Sequence, residues 1–227
     1  MRSSIKTSIP IVHFWVLIAI FSLASPARSG DIVGEVKRPP AQAEPTKVVD
    51  RYVGRDALPR RDNGANCICN PGLYSVAYLT GDSLPPIVPP KTPPAMAQKD
   101  MMFSPSVLAV AVGTTVSFPN DDPFFHNVFS YSKTKRFDLG RYPKGKTQEV
   151  VLDKPGIIKV FCEIHYSMRA YIHVLETPYF AVSDEKGLFA ISSVKPGSYT
   201  LHIWQENLPE ITQPITVTPE TLKLEIR

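Results

Sequence analysis

A cysteine, a histidine and a methionine lie within a span of seven residues, as Cys162, His165 and Met168 in the segment FCEIHYSM. A second histidine, His126, lies 36 residues before the cysteine and begins the tripeptide His-Asn-Val. Two imidazoles and a thiolate, with a weakly bound thioether, form the ligand set of a blue-copper centre that transfers single electrons. The four residues therefore predict a centre for one redox-active ion.

Other interpretations of these residues are less specific. A single cysteine in a β-protein is usually a small buried hydrophobe, and a single methionine usually packs in a core. Zinc also binds cysteine and histidine. A thioether is a poor ligand for zinc, however, and only three good ligands would remain. The Cys-x2-His-x2-Met spacing, together with the upstream histidine, favours copper.

Short β-type segments must position these side chains. Proline makes up 23 of the 227 residues, which argues against a helical bundle because proline breaks helix interiors. Short strands separated by turns are typical of β-sandwiches. The strands predicted in this part of the chain cover residues 107–112, 114–118, 126–131, 147–152, 157–161 and 170–175. Cys162 then ends one strand, and His165 and Met168 lie in the turn before the next.

Further strands are predicted on both sides of this region. Two precede it and five follow it: 31–36, 74–80, 180–182, 188–191, 199–204, 215–217 and 222–226. The proline-rich stretch 84–94 is typical of an extended connector. These changes in composition divide the chain into four parts, at 1–29, 30–94, 95–178 and 179–227. The last part is too small to form an independent sandwich, so we expect strands from elsewhere to complete it.

The first 29 residues have the pattern of an export signal. Arg2 and Lys6 precede an apolar run over 9–24, and small residues follow it. The run is shorter than the roughly 20 residues of a bilayer span, although an uncleaved anchor is the alternative interpretation. We expect cleavage near residues 24–30 and a periplasmic mature protein without a membrane span.

The net charge argues against nucleic acid as a partner. The chain has 25 Lys and Arg against 21 Asp and Glu. Three of the basic residues, Arg2, Lys6 and Arg28, lie in the predicted signal, which leaves 22 against 21. A protein that binds the phosphate backbone needs a basic excess, and this balance does not supply it.

The pair Cys67 and Cys69 allows several interpretations. The two thiols are separated by one residue, so a disulfide between them would be strained. An intermolecular or redox role, a second metal site and free thiols are the alternatives that the sequence leaves open.

Residues 96–176 resemble a cupredoxin of the plastocyanin and amicyanin kind. The stretches GTTVSFPN (113–120), HNV (126–128) and CEIHYSM (162–168) carry the resemblance. It implies a Greek-key β-sandwich with one type 1 copper ion. By position, the equatorial ligands are His126, Cys162 and His165, the axial ligand is Met168, and Asn127 ties the two ligand loops together by hydrogen bonding.

The same resemblance implies a function. We expect an electron carrier that docks weakly and transiently on redox proteins near His165, with Phe124, Phe125 and Tyr166 lining the docking surface. We do not expect an enzyme, because all four coordination positions are filled. A copper carrier that uses the same site is an alternative.

Residues 179–227 resemble a carboxypeptidase regulatory-like domain, with a transthyretin-like or starch-binding-like sandwich. The stretches SDEKGLF (183–189) and VKPGSYTL (194–201) carry this resemblance. Such domains begin with strands like those predicted upstream of the cupredoxin, so we expect the cupredoxin to be inserted into a split sandwich. A carbohydrate- or protein-binding module is the alternative function, with Tyr199 and Trp204 as candidates for stacking on a sugar. We expect His173 and His202 on the surface.

Overall fold

The computed structural model describes residues 29–37, 71–82 and 84–227. In these ranges the chain forms a 3₁₀ helix at Pro71–Leu73 and sixteen strands. The first eight strands are β1 (Gly30–Val36), β2 (Ser75–Thr80), β3 (Ala97–Lys99), β4 (Met102–Ser104), β5 (Val107–Ala111), β6 (Thr114–Pro119), β7 (His126–Tyr131) and β8 (Arg136–Tyr142). The others are β9 (Thr147–Leu152), β10 (Gly156–Phe161), β11 (Arg169–Leu175), β12 (Phe180–Val182), β13 (Leu188–Val194), β14 (Gly197–Gln205), β15 (Ile211–Val217) and β16 (Leu222–Ile226).

The predicted all-β fold class is confirmed. Within the described ranges, no helix has the length and hydrophobicity needed to cross a membrane. The predicted export signal and the pair Cys67 and Cys69 lie outside the described residues, so the interpretations of both stay predictions.

Strands β3 to β11 form a sandwich, called here the central sandwich. Its main sheet has the order β5-β11-β10-β7-β8, and it packs on the pair β6-β9. Alternation creates the core: Ile158 and Val160 of β10 are buried, whereas Lys159 between them is exposed. Phe118 from β6 and Ile172 from β11 join the same buried cluster. Of the predicted metal ligands, His126 begins β7 and the other three lie between β10 and β11, so all four belong to strand ends or a loop of this packed β-framework.

Strands from the two flanking segments form a second sandwich, called here the flanking sandwich. Its sheets have the orders β13-β1-β16 and β12-β2-β14-β15. Strand β1 is antiparallel to β13 and parallel to β16, and β2 lies between β12 and β14. Ile32 and Leu79 from the first segment share a buried cluster with Leu201 and Ile203 from the last. Strands that precede the central sandwich in the sequence therefore pair directly with strands that follow it.

The chain leaves and re-enters the flanking sandwich at nearly the same point. The backbone N–H of Leu79 donates to the carbonyl of Tyr179 at 3.0 Å. The neighbouring residues Tyr78 and Phe180 are paired across β2 and β12. The central sandwich therefore begins and ends beside a single pair of strands.

The two sandwiches share an apolar interface that covers His173. Alternation places His173 on the opposite face of β11 from Ile172 and Val174, as the sequence indicates. The flanking sandwich packs on that face, so His173 is only 6% exposed, with ring centroids 5.7 Å from Trp204 and 5.2 Å from Tyr78. The predicted surface position is therefore wrong, because the pattern of one strand does not show what covers its outer face.

His202, which was also predicted to lie on the surface, is partly buried. Its ring stacks on Tyr78 with a centroid distance of 4.6 Å, and its Nε2 lies 2.9 Å from the hydroxyl of Thr80. These contacts cover one face of the ring. His202 therefore belongs to the packed surface of its sheet rather than projecting freely into solvent.

The burial of His173 predicts that stability depends on pH. Burial lowers the pKa of His173 to about 4, so the folded protein favours the neutral ring. The unfolded chain takes up a proton near the ordinary pKa of 6.5. Acidification from pH 7 to below pH 4 should therefore lower the free energy of unfolding by about 3 kcal/mol through this residue.

Denaturant unfolding at a series of pH values would measure this dependence. The variant His173→Phe should lose this part of the slope between pH 4 and 6.5, whatever its absolute stability. Equal slopes for the variant and the wild-type protein would contradict the prediction.

Candidate metal centre

The predicted ligands come together at one end of the central sandwich. His126 is the first residue of β7, and Cys162 directly follows β10. These strands are neighbours, with Phe161 paired to Phe129. The loop from β10 to β11 contains His165 and Met168, so adjacent strand ends bring both ligand segments to the same place.

Three donor atoms converge there. Nδ1 of His126 lies 3.0 Å from Nδ1 of His165 and 3.8 Å from Sγ of Cys162. All three atoms lie within 4.8 Å of one another. Metal–nitrogen and metal–sulfur bonds of about 2.0–2.3 Å allow one ion to reach atoms at such separations. His126 is 0% exposed and Cys162 is 3% exposed, so the donor set fits a soft transition ion bound away from bulk water.

Met168 closes the ligand loop. Its backbone N–H donates to the carbonyl of His165 at 2.9 Å, and its carbonyl accepts from the N–H of Cys162 at 3.3 Å. The residue is 1% exposed and belongs to the same buried cluster as Cys162. The loop therefore folds back so that the backbones of Cys162 and Met168 are hydrogen-bonded to each other. The role of Met168 as a ligand stays a prediction.

Asn127 connects the two ligand segments. It follows His126 in β7, is buried, and accepts the backbone N–H of Glu163 on its Oδ1 at 2.7 Å. The Glu163 side chain extends outward and pairs with Arg141 at 2.6 Å. The amide of Asn127 thus holds the residue after Cys162 against the strand that begins with His126.

Asp122 is a site residue that the sequence analysis did not identify. Its Oδ2 lies 2.8 Å from Nε2 of His126. Because a carboxylate only accepts hydrogen bonds, Nε2 carries the proton and Nδ1 keeps its lone pair. Metal-binding histidines commonly donate their second ring N–H to a carboxylate in this way. Asp122 therefore fixes the tautomer in which His126 presents a free Nδ1 to Cys162 and His165.

The surrounding backbone keeps Asp122 ionised. Burial would raise the pKa of this carboxyl, but hydrogen bonds from the backbone N–H of Met101, from His126 and from the backbone N–H of Asp100 hold the pKa below its usual value. The side chain of Asn120 shapes the loop by accepting the N–H of Asp122 and donating to the carbonyl of Phe124. No signal in the sequence distinguishes Asp122 from the adjacent Asp121, because the backbone groups that bind its carboxylate come from a distant turn.

His165 is the most accessible of the three converging side chains. Burial, and then the neighbouring His126, lower the pKa of His165, which favours the neutral, ligating form of the ring. Phe124 lies with its ring centroid 6.5 Å away. Phe124, Phe125 and Tyr166 are exposed, and Tyr166 is 93% exposed. Phe124 therefore adjoins the candidate centre. The exposed side chains of Phe124, Phe125 and Tyr166, which lie next to His126 and His165 in the sequence, are called here the aromatic surface.

Comparison with known families identifies this part of the chain. Residues 93–175 match the family model of copper binding proteins of the plastocyanin/azurin family. The chain contains a cupredoxin domain. The three converging donors lie inside the matched segment, and "cupredoxin domain" denotes the central sandwich from here on.

The last part of the chain matches a different family from the one expected. Residues 174–223 match the model for domain II of polysaccharide lyase family 4, an fn3-type model. The expected carboxypeptidase regulatory-like family is not the family that matches. A search of curated proteins found no match.

Several solved structures resemble the cupredoxin part. A copper-containing nitrite reductase (NirK) from Thermus scotoductus SA-01 is 28% identical over 37% of this chain, with a TM-score of 0.36, and the chain spans 23% of that protein. A purple cupredoxin from Nitrosopumilus maritimus is 30% identical over 34% of this chain and 84% of its own, with a TM-score of 0.31. A reduced amicyanin variant is 19% identical over 44% of this chain and 98% of its own, with a TM-score of 0.36.

Replacing Asp122 should weaken metal binding. The variant Asp122→Asn keeps the size of the side chain but removes the charge that orients His126. Loss of such a partner typically lowers metal affinity by about 10- to 100-fold, and we expect a loss in that range. Competition for copper against a chelator of known affinity would measure it.

The adjacent Asp121 is exposed, so Asp121→Asn changes the net charge equally and serves as the matched control. An affinity loss of the same size in both variants would contradict the orienting role of Asp122.

Proposed function

We propose that this protein is an exported carrier of single electrons that binds one type 1 copper ion through His126, Cys162, His165 and Met168. The observation that carries the proposal is the convergence of two imidazole nitrogens and a thiol sulfur within 4.8 Å, inside a segment that matches a copper-binding family. Copper in such a ligand set alternates between Cu(I) and Cu(II), and so accepts and donates one electron.

The surrounding residues keep the donors in place during this exchange. Asp122 fixes the ring of His126, and Asn127 holds the backbone after Cys162. His126 and Cys162 are buried in a densely packed β-framework. Because packed interiors resist small displacements, the ligands have little freedom to rearrange when the charge changes, which favours rapid electron transfer.

The aromatic surface is the proposed docking site for redox partners. It adjoins His165, whose ring lies between the buried donors and solvent. Exposed apolar side chains beside a redox centre favour small interfaces that form and separate rapidly. We propose a carrier rather than an enzyme because four protein ligands leave no coordination position for a substrate.

Export and domain organisation complete the proposal. The predicted signal over 1–29 supports a periplasmic location. Pairing of β1 and β2 with strands near the end of the chain supports a cupredoxin domain over 95–178 that is inserted into a sandwich built from 30–94 and 179–227. A role in binding sugar through Tyr199 and Trp204 has little support, because both rings are buried.

Spectroscopy of the copper-loaded full chain tests the proposal. We expect one copper per chain, an intense visible absorption band, and loss of that band after addition of one electron equivalent, with recovery on reoxidation. A protein that stays colourless after copper loading and oxidation would overturn it.

A copper carrier is the alternative function. A carrier must release its ion readily, whereas His126 and Cys162 are buried, which favours retention. Rapid transfer of the copper to a chelator or to an apo-protein would favour the carrier over the electron-transfer proposal.

A further inference from the structure

The flanking sandwich contacts the strand that begins directly after Met168. Glu206 follows β14 and is 8% exposed. Its Oε1 accepts the hydroxyl of Tyr171 at 2.8 Å and lies 3.5 Å from Nη1 of Arg169. Arg169 and Tyr171 are the first and third residues of β11. A buried carboxylate of one sandwich is therefore bound to the strand of the other that leaves the ligand loop.

This contact is located at the base of the ligand loop. Arg169 is paired with Phe161 across β10 and β11, and these two residues flank Cys162 and Met168. The Arg169–Phe161 pair closes the loop, and Glu206 anchors one member of that pair. Movement of Arg169 would therefore displace its chain neighbour Met168 directly.

The anchoring contact is costly to remove. Hydrogen bonds to a charged group are stronger than neutral ones, and a buried partner left unpaired retains its desolvation cost. Without Glu206, the hydroxyl of Tyr171 loses its acceptor and Arg169 loses a nearby opposite charge. The start of β11 would then be held only by its backbone pairing with β10 and β5, which gives the residues next to Met168 more freedom to move.

We propose that Glu206 is a positioning residue for the copper centre, which acts through Arg169 and Tyr171 on the placement of Met168. The inference rests on the proposed function. The reduction potential of a blue-copper site depends on its axial ligand. By this route the flanking sandwich helps to set the reduction potential of the copper centre.

Substitution of Glu206 in the full chain tests the inference. We expect Glu206→Gln and Glu206→Ala to bind copper at the wild-type stoichiometry, but with a shifted absorption and EPR spectrum and a shifted potential. The shift should be larger for alanine, because glutamine can still accept from Tyr171. Release of copper to a chelator should be about 10-fold faster in the alanine variant, at the low end of the effect of losing partners that orient metal ligands.

Glu210 supplies the matched control. It is another glutamate of the flanking sandwich, it accepts the hydroxyl of Tyr78 at 2.6 Å, and it lies 3.6 Å from Nδ1 of His202. Both of these partners belong to the flanking sandwich. Glu210→Gln and Glu210→Ala should therefore leave the copper spectrum and potential unchanged, even if they lower the melting temperature.

The outcomes separate this inference from the proposed function. A wild-type protein without a copper band would overturn the proposed function and, with it, the inference. A coloured wild-type protein whose Glu206 variants fold but keep its spectrum and potential would overturn the inference alone, as would equal spectral shifts in the Glu210 variants.

If Glu206→Ala fails to fold, the isosteric variant Glu206→Gln and the variant Arg169→Met test the inference instead. Combined, these two substitutions should shift the spectrum no further than the larger single effect, because both break the same contact. Additive shifts would overturn the proposed route through Arg169.

Discussion

Replacing Cys162 with serine is expected to abolish the visible absorption of the copper-loaded protein. The absorption arises from charge transfer between a thiolate and Cu(II), and a hydroxyl oxygen is a harder donor that a soft ion binds poorly. Serine is close to cysteine in size, so the packing around this buried position should largely persist. An absorption spectrum and an EPR spectrum after copper loading would measure the loss.

The other two cysteines provide the matched control. Cys67→Ser and Cys69→Ser remove a thiol of the same kind from elsewhere in the chain, and the absorption band should survive both changes. A band that persisted in Cys162→Ser, or that vanished in Cys67→Ser or Cys69→Ser, would show that the thiolate responsible is not the one that lies beside His126.

The candidate centre was largely predictable because most of it is local in sequence. Cys162, His165 and Met168 lie in one short loop, and a loop of that length cannot separate them widely. His126 was predictable for a different reason, since it begins the tripeptide His-Asn-Val at the head of a predicted strand. Alternation also located most of the strands, because the pleat directs successive side chains to opposite faces.

The strand β8 shows where this pattern becomes weak. Its sequence RFDLGRY contains three charged residues and a glycine, and its partners lie on one side only, since it is the edge of its sheet. Gly140 adopts a positive φ of 67°, which interrupts the regular alternation. Tyr142 at its end is buried in the core, but Phe137 and Leu139 are only partly buried against it, so the segment resembles a polar loop until its pairing with β7 is known.

Asp122 could not be assigned from the sequence because its environment is assembled from distant segments. The backbone N–H groups of Asp100 and Met101 bind the carboxylate, and they reach it from the turn between β3 and β4. The contact with His126 gives Asp122 its role, and tertiary structure alone reveals that contact.

His173 and Glu206 depend on a still larger scale of organisation. Neither residue belongs to a motif that indicates burial, and both are buried because one sandwich packs on the other. The packing in turn requires strands from opposite ends of the chain to pair. No window of a few residues contains that information, which is why the interface and its link to the ligand loop emerge only from the fold.

Removal of residues 179–227 is expected to unfold strands β1 and β2, which precede the cupredoxin domain. Strand β1 would lose both of its neighbours, β13 and β16, and β2 would lose β12 and β14. Ile32 and Leu79 would then be exposed, at a cost of about 1.5–3 kcal/mol for each side chain. Limited proteolysis should cleave residues 30–37 and 71–82 of the truncated chain rapidly and spare both ranges in the full chain.

Excision of residues 83–178 is the complementary experiment. The backbone of Leu79 already bonds to that of Tyr179, so Asp82 and Tyr179 can be joined by a short turn without moving either strand. We expect this shortened chain to unfold cooperatively, because the buried cluster around Ile32, Leu79 and Leu201 remains complete. Protection of residues 30–37 and 71–82 in the truncated chain, or failure of the excised chain to fold, would mean that the segments before and after the cupredoxin domain do not form one cooperative unit.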